Sequence, residues 1–229
     1  MIIRVLIVDD HPAFRAGLRD MVNNGQDTGV VGEAGTGLEA VEKARLLKPD
    51  VILMDINMPK MSGIEATRII VKEYPAVHVI MLTAFGSEAA GGDRYIFEAL
   101  QAGAEGYLLK TAGKEEILRA ISSVYRGESL LDPKVTASFV ERIRQNTLYA
   151  GEKPDVTDYE LQIVKCLAQG MSNGQIGKHL CRSTSSIEKT LNSFCRKFNL
   201  ENRVQVLIFA VQQGLISPNE LSLPMKEPC

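Results

Sequence analysis

A chain of 229 residues that is 45% hydrophobic and 24% charged, with a net charge of −2, has the composition of an ordinary soluble protein and length for two domains. No apolar run approaches the ~20 residues that a membrane-spanning helix needs, and the N-terminus enters a strand-like run without a signal-peptide layout. These features predict a cytoplasmic protein with no membrane partner. The four cysteines, Cys166, Cys181, Cys195 and Cys229, form no CxxC pair and have no histidines at zinc-finger spacing, so free thiols are expected rather than zinc or disulfides.

From residue 2 to about 126, short apolar runs alternate with segments of helical period. The runs are Ile2–Val8, Val30–Glu33, Val51–Met54, Val77–Leu82 and Gly106–Leu109. Their near-continuous Val, Ile and Leu suits strands buried on both faces, as in a parallel sheet. Between them Pro12–Val22, Gly37–Leu47, Ile64–Tyr74, Asp93–Ala102 and Lys114–Tyr125 read as helices, with Gly103 placed as a C-terminal cap. Five strand–helix units predict a doubly wound α/β domain with a five-stranded parallel sheet, and a ligand at the carboxyl ends of the strands.

The pattern changes after Gly127. One helical stretch, Pro133–Arg144, sits in an otherwise polar, turn-rich segment that reads as a linker over 128–154. A small all-α domain of four helices is expected over 155–217, followed by a tail over 218–229. Thr157 and Glu160 have capping-box spacing at the start of its first helix, whose buried face is read as Leu161, Val164, Leu167 and Ala168. Ser172–Leu180 forms a short second helix. The third runs from about Ser185 to Phe198 with Ile187, Leu191, Phe194, Cys195 and Phe198 on one stripe, and Arg203–Gln213 is the last. Between Ser172 and Phe198 five basic residues face one acid, Glu188, a local signal for an anionic partner.

Chemistry-bearing residues fall at the strand ends: Asp9 and Asp10, Asp55, Thr83 and Lys110. Any one alone would be a turn acid, a strand-end hydroxyl or a solvated lysine. Converging in one crevice, three carboxylates repel unless a cation is present, and oxygen-only ligands favour Mg²⁺. One carboxylate can then act as nucleophile toward a phosphoryl group, with Thr83 and Lys110 binding its oxygens.

Val8-Asp9-Asp10-His11-Pro12, Met54 to Gly63 and Gly106-Tyr107-Leu108-Leu109-Lys110 closely resemble the receiver domain of bacterial two-component response regulators, over residues 2–126. The resemblance implies the flavodoxin-like receiver fold and a phosphoryl group accepted on Asp55 from a sensor histidine kinase. It also implies Mg²⁺ held by Asp10, Asp55 and the backbone carbonyl of Asn57, with Asp9 acting through water. Thr83 and Tyr107 match the family's switch pair, in which the hydroxyl moves to the phosphate and the ring follows inward. Taken alone, Tyr107 would be a half-buried strand residue. The span from Thr83 to Lys110 is longer than usual for this family, and the surplus falls in Gly86–Gly92. Its glycines predict a flexible loop that either alters the response of the following helix or is a tolerated insertion.

The C-terminal plan of helix, short helix, tight turn and longer helix is that of a helix-turn-helix domain, whose third helix would enter the major groove. Leu167 to Asn173, Ile176, Leu180 and Arg196-Lys197-Phe198 resemble the LuxR-type domain. With a receiver in front, the chain is similar to response regulators of the NarL/FixJ type. Ser185, Glu188, Lys189, Asn192 and Arg196 are expected to face outward. Lys189 and Asn192 are placed to read base edges of double-stranded DNA, and Lys178, Arg196 and Lys197 to reach phosphates. The last helix is apolar around more than one face, which fits the family's use of it for a homodimer or else a buried core helix. Glu188 stands where a DNA-facing lysine is common, and Gly174 and Gly177 should loosen the second helix.

The expected function is therefore a phosphorylation-controlled transcription regulator, not an enzyme of rapid turnover, because no second acid follows Asp55 closely to serve as general acid. The alternative is a phospho-switched protein-interaction module whose helix-turn-helix has lost DNA binding.

Overall fold

The computed structural model describes residues 2–84, 92–127, 130–131 and 154–217. Elements β1 (Ile3–Val8), α1 (Pro12–Asn23), β2 (Thr28–Ala34), α2 (Gly37–Leu47), β3 (Val51–Asp55), α3 (Gly63–Glu73), β4 (His78–Thr83), α4 (Gly92–Gln101), β5 (Gly106–Leu109) and α5 (Lys114–Tyr125) alternate as the apolar runs predict. All strand pairs are parallel, in the order β2-β1-β3-β4-β5-β6. The sixth strand, β6 (Leu130–Leu131), extends the expected five from within the stretch read as linker. Two residues carry no usable period, so only pairing with β5 reveals them. The predicted helix Pro133–Arg144 and positions 86–91 of the predicted loop lie outside the described residues.

The central strands β1, β3, β4 and β5 are buried on both sides, whereas the edge strand β2 is only partly covered along its middle. Ile3, Val5 and Ile7 of β1 join Leu53, Leu82 and Leu108 in a core closed by Leu18 and Val22 of α1 and by Ile117, Ile121 and Val124 of α5. The alternate residues Leu6, Val8, Ile52, Met54 and Met81 face α2, α3 and α4. This period-2 division explains why the runs look continuously apolar in sequence.

At the lower edge, His78 opens β4 with its Nδ1 3.0 Å from Glu105. Burial alone would strip its proton, but Glu105 and the nearby Asp50 outweigh that and hold its pKa above the ordinary 6.5. The folded state thus binds this proton more tightly than the unfolded chain. The stability gained is complete below pH 6.5 and is lost as pH rises through the raised folded value. Urea midpoints taken across about pH 5 to 8 should fall in this way, and His78→Gln should remove that part of the slope.

The C-terminal helices are α6 (Asp158–Ala168), α7 (Asn173–His179), α8 (Thr184–Phe198) and α9 (Arg203–Gln212). Capping boxes open α6 (Thr157 with Glu160) and α7 (Ser172 with Gln175), each cap contributing about 1 kcal/mol. In α6 the buried face includes Ile163 and Cys166 as well as Val164, Leu167 and Ala168, whereas Leu161 is only partly covered. Gly177 has a packing reason not visible in sequence: a Cβ there would stand 2.8 Å from the Arg182 carbonyl. It lets α7 approach the turn into α8, so the expected loosening is offset by closer packing.

Candidate functional site

The parallel sheet carries each chemical group to the same edge. Asp9 and Asp10 follow β1, Asp55 closes β3, Thr83 closes β4 and Lys110 follows β5. Since β1 lies between β2 and β3, the crevice opens where the order of strands reverses, the position at which such sheets bind ligands. Lys110 Nζ lies 2.5 Å from Asp9 Oδ2 and 2.9 Å from Asp55 Oδ2. Asp9, Asp55 and Thr83 are buried, while Asp10 and Lys110 remain partly open to solvent. The five strand-end residues singled out in the sequence thus occupy one crevice.

Its electrostatics are those of acids held together by one cation. Burial pushes the Asp55 carboxyl above its ordinary range, and the Asp9 charge adds to this, while Lys110 and the Asn57 amide act the other way. Burial also works against the Lys110 charge, but hydrogen bonds and attraction from Asp9 and Asp55 outweigh it and hold the ammonium above its usual value. Tyr107 on β5 is fully buried, and burial pushes its phenol up to about 12, the Thr83 hydroxyl acting weakly against this. The ring is therefore inside the core beside Thr83, not the half-buried residue its strand position alone would suggest. Asn57 is exposed just beyond β3.

Three neighbours escape a reading of isolated strand ends. The Arg15 guanidinium donates to the Asp9 carbonyl at 2.6 Å and lies 3.5 Å from Glu33. Lys110 Nζ sits 4.9 Å from the Phe14 ring centroid, a cation–π contact that steadies the lysine. His11 Nδ1 is 2.5 Å from Asp10 Oδ1 and 3.4 Å from Asp9 Oδ1. Arg15 and Phe14 lie one turn into α1, and the signal for them is the helical offset from Asp10.

In the C-terminal domain Ile187 and Phe194 of α8 are buried, and Ser185, Glu188, Lys189, Asn192, Arg196 and Lys197 are exposed, as is Lys178 on α7. Phe194, Phe198 and Phe209 stack with centroids 4.5 to 6.0 Å apart and fix α8 against α9. Lys197 is engaged by the Asp155 carboxylate at 3.2 Å, an exposed pair that a phosphate can displace at little cost. Glu188 and Asn192 border a cleft shared with Glu105 and Gly127 of the N-terminal domain.

The apolar excess of α9 is covered in this arrangement, with Val204, Val206, Leu207, Ile208, Ala210 and Val211 buried and the helix packed on α6 and α4. Polar bonds pin its first turn. Asn202 Nδ2 donates to the Gly103 carbonyl at 2.6 Å, and Gln205 Nε2 donates to the Gln101 carbonyl at 2.9 Å. The Gln101 carbonyl ends α4, the helix that follows Thr83, and Gly103 lies in the turn just beyond it.

Residues 5–122 match the family model described as the response regulator receiver domain, and residues 155–210 match that of the bacterial regulatory proteins of the luxR family. Over 217 residues the chain is 36% identical to the uncharacterized transcriptional regulatory protein YxjL of Bacillus subtilis, covering 93% of this chain and 97% of that protein. The response regulator protein VraR of Staphylococcus aureus is also 36% identical, over 94% of this chain and 100% of its own length. Among solved structures, the response regulator ChrA of a heme-sensing two-component system aligns at 32% identity and a TM-score of 0.51, over 94% of this chain and 99% of that one.

Proposed function

The chain belongs to the two-component response regulators that join a receiver domain to a luxR-type DNA-binding domain, and from this membership we propose that phosphorylation of Asp55 controls its binding to DNA. A sensor histidine kinase supplies the phosphoryl group in the cytoplasm. The observation that carries this reading is the Lys110 ammonium bridging two buried carboxylates, Asp9 and Asp55, beside the Thr83 strand end. Attack by an Asp55 oxygen forms the new O–P bond as the N–P bond of the phosphohistidine breaks, its electron pair returning to the imidazole. Lys110 follows the charge to a phosphoryl oxygen, and the Thr83 hydroxyl donates to another.

The residues fit a bound Mg²⁺. Carboxylate oxygens of Asp9, Asp10 and Asp55 gather with His11 within 4.8 Å of one another, and Asp10 Oδ1 is buried without a hydrogen-bond partner. Asp10, Asp55 and the Asn57 carbonyl would hold the ion, with Asp9 acting through water. When bound it neutralises charge on the incoming phosphoryl group.

Output follows from α4. Thr83 precedes this helix, and the carbonyls of Gln101 at its end and Gly103 just beyond it hold Gln205 and Asn202 of the C-terminal domain. A shift of α4 on phosphorylation breaks those bonds, freeing α9 to pair with a second copy and α8 to enter the major groove. Lys189 and Asn192 then read base edges, while Ser185 and Glu188 lie at the helix start where they choose among sites. Lys178, Arg196 and Lys197 reach phosphates.

Glu188 favours a second reading, a protein-interaction module without DNA binding, because it brings a negative charge to the surface that would face the duplex. Selection of genomic fragments by the full chain, with and without acetyl phosphate, separates the two. Enrichment of a shared paired half-site in the phosphorylated sample supports the proposal. No enrichment in either sample supports the interaction module.

A further inference from the structure

We propose that Phe14 is a positioning residue for phosphoryl transfer, its ring face holding the Lys110 ammonium where an incoming phosphoryl oxygen meets it. The inference deepens the phosphoryl-site reading and rests on it, since the ammonium, not the ring, would touch the phosphoryl group.

The order of the sheet gives Lys110 a long reach. In that order β5 lies three strand spacings from β1, about 14 Å at ~4.8 Å per spacing. The Lys110 amide donates to the Thr83 carbonyl at 2.7 Å, which fixes its main chain beside the end of β4. The four-carbon stem then carries the ammonium to 2.5 Å from Asp9 Oδ2 and 2.9 Å from Asp55 Oδ2. Such a stem has many rotamers, and holding it in one of them costs conformational entropy.

Phe14 supplies a wall for that stem from a different element. Pro12 opens α1, so Phe14 falls in the first turn of the helix, partly buried against the core that α1 shares with α5. Lys110 Nζ stands 4.9 Å from the ring centroid, inside the ~6 Å over which an aromatic face attracts a cation. The lysine side chain is only 16% exposed, so little water competes for its charge. The ring attracts the ammonium without taking a hydrogen bond. Its N–H donors thus remain for Asp9, Asp55 and a phosphoryl oxygen.

The contact matters most while Lys110 changes partners. As the Asp55 oxygen bonds to phosphorus, the ammonium leaves that oxygen and follows the charge to the phosphoryl group. The attraction of the ring does not depend on the charge of Asp55, so it anchors the ammonium throughout. An aliphatic side chain of similar bulk fills the same space but leaves the stem freer to rotate. Loss of the ring therefore slows transfer by misplacing Lys110, without abolishing it.

The test uses the full chain and acetyl phosphate, a small donor with no protein surface to contact α1. Phe14→Leu removes the ring and Phe14→Tyr keeps it. The rate of Asp55 labelling should fall at least ~threefold in Phe14→Leu, the size expected for a partly covered cation–π contact, and stay within about twofold of wild type in Phe14→Tyr. A double-mutant cycle with Lys110→Met, read by urea unfolding, should show the two residues coupled. The Lys110 Cε protons of the wild type should resonate upfield under the ring, and Phe14→Leu should lose that shift. Wild-type rates in Phe14→Leu, equal losses in Phe14→Leu and Phe14→Tyr, or purely additive effects in the cycle overturn the assignment. Wild-type labelling that Asp55→Asn abolishes tests the underlying reading separately. If that labelling succeeds and the ring makes no difference, only the role of Phe14 falls.

Discussion

Asp55→Asn protein should take up no phosphoryl group from acetyl phosphate under conditions that label the wild type fully, and it should fold at least as stably. Asparagine keeps the shape of the side chain at the end of β3 and can still accept from Lys110, now 2.9 Å from Asp55 Oδ2. It has no anionic oxygen to form an acyl phosphate, so the chemistry is lost outright. The stability result follows from burial. An acid whose folded pKa is raised above its unfolded value of 3.8 destabilises the fold as pH rises through that interval, and the full cost is present at neutral pH. Asparagine removes that cost, of which the repulsion from Asp9 is one part. Phosphate labelling by gel mobility and urea unfolding at neutral pH read the two halves of the prediction. Persistent labelling would place the acceptor elsewhere. A strongly destabilised variant would mean that ionised Asp55 is a net support of the fold.

Gly63→Ala should be the most damaging single methyl in the receiver domain, costing about 3 kcal/mol or more. A Cβ at Gly63 would lie 1.9 Å from the Asp55 carbonyl oxygen and 2.9 Å from Met54 Cγ. The obstacle is backbone at the end of a central strand, which cannot rotate away. Gly63 also donates its amide to the Ile56 carbonyl at 2.9 Å, so moving it breaks the turn that carries Asp55 and Asn57. Stability and labelling should therefore fall together, seen as a lower urea midpoint and slower acetyl phosphate uptake. The neighbouring Ser62→Ala removes only a helix cap and should cost about 1 kcal/mol with little effect on labelling. Equal effects at the two positions would contradict the close approach.

The sheet, its helices and the convergence of Asp9, Asp10, Asp55, Thr83 and Lys110 were legible because strand ends and apolar runs are local signals. Parallel strands leave little freedom in where their carboxyl ends meet. The two-residue β6 was not legible, since a strand that short exists only through its partner. Pairs formed across the fold were equally hidden: nothing near Lys197 predicts Asp155, 42 residues away. The burial of α9 shows the same limit. Its apolar surplus was visible, but Asn202 and Gln205, which pin it to α4, read as ordinary polar residues at a helix start. The His11 pairing with Asp10 was hidden as well, because it depends on where the ring lies rather than on sequence neighbourhood. Gly177 was read as a weak helix former, and the Arg182 carbonyl beside it supplies the missing reason.

Equilibrium binding to a selected DNA fragment tests whether phosphate on Asp55 controls DNA binding. Affinity should be measured across salt concentrations for wild-type protein with and without acetyl phosphate, and for Asp55→Asn. Phosphorylated wild type should bind about tenfold or more tightly than either other sample, equivalent to ~1.4 kcal/mol or more. Lys178, Arg196 and Lys197 from two copies would make six phosphate contacts and give a log–log salt slope of about −5. Equal affinities in all three samples, or a slope near zero, would contradict the account.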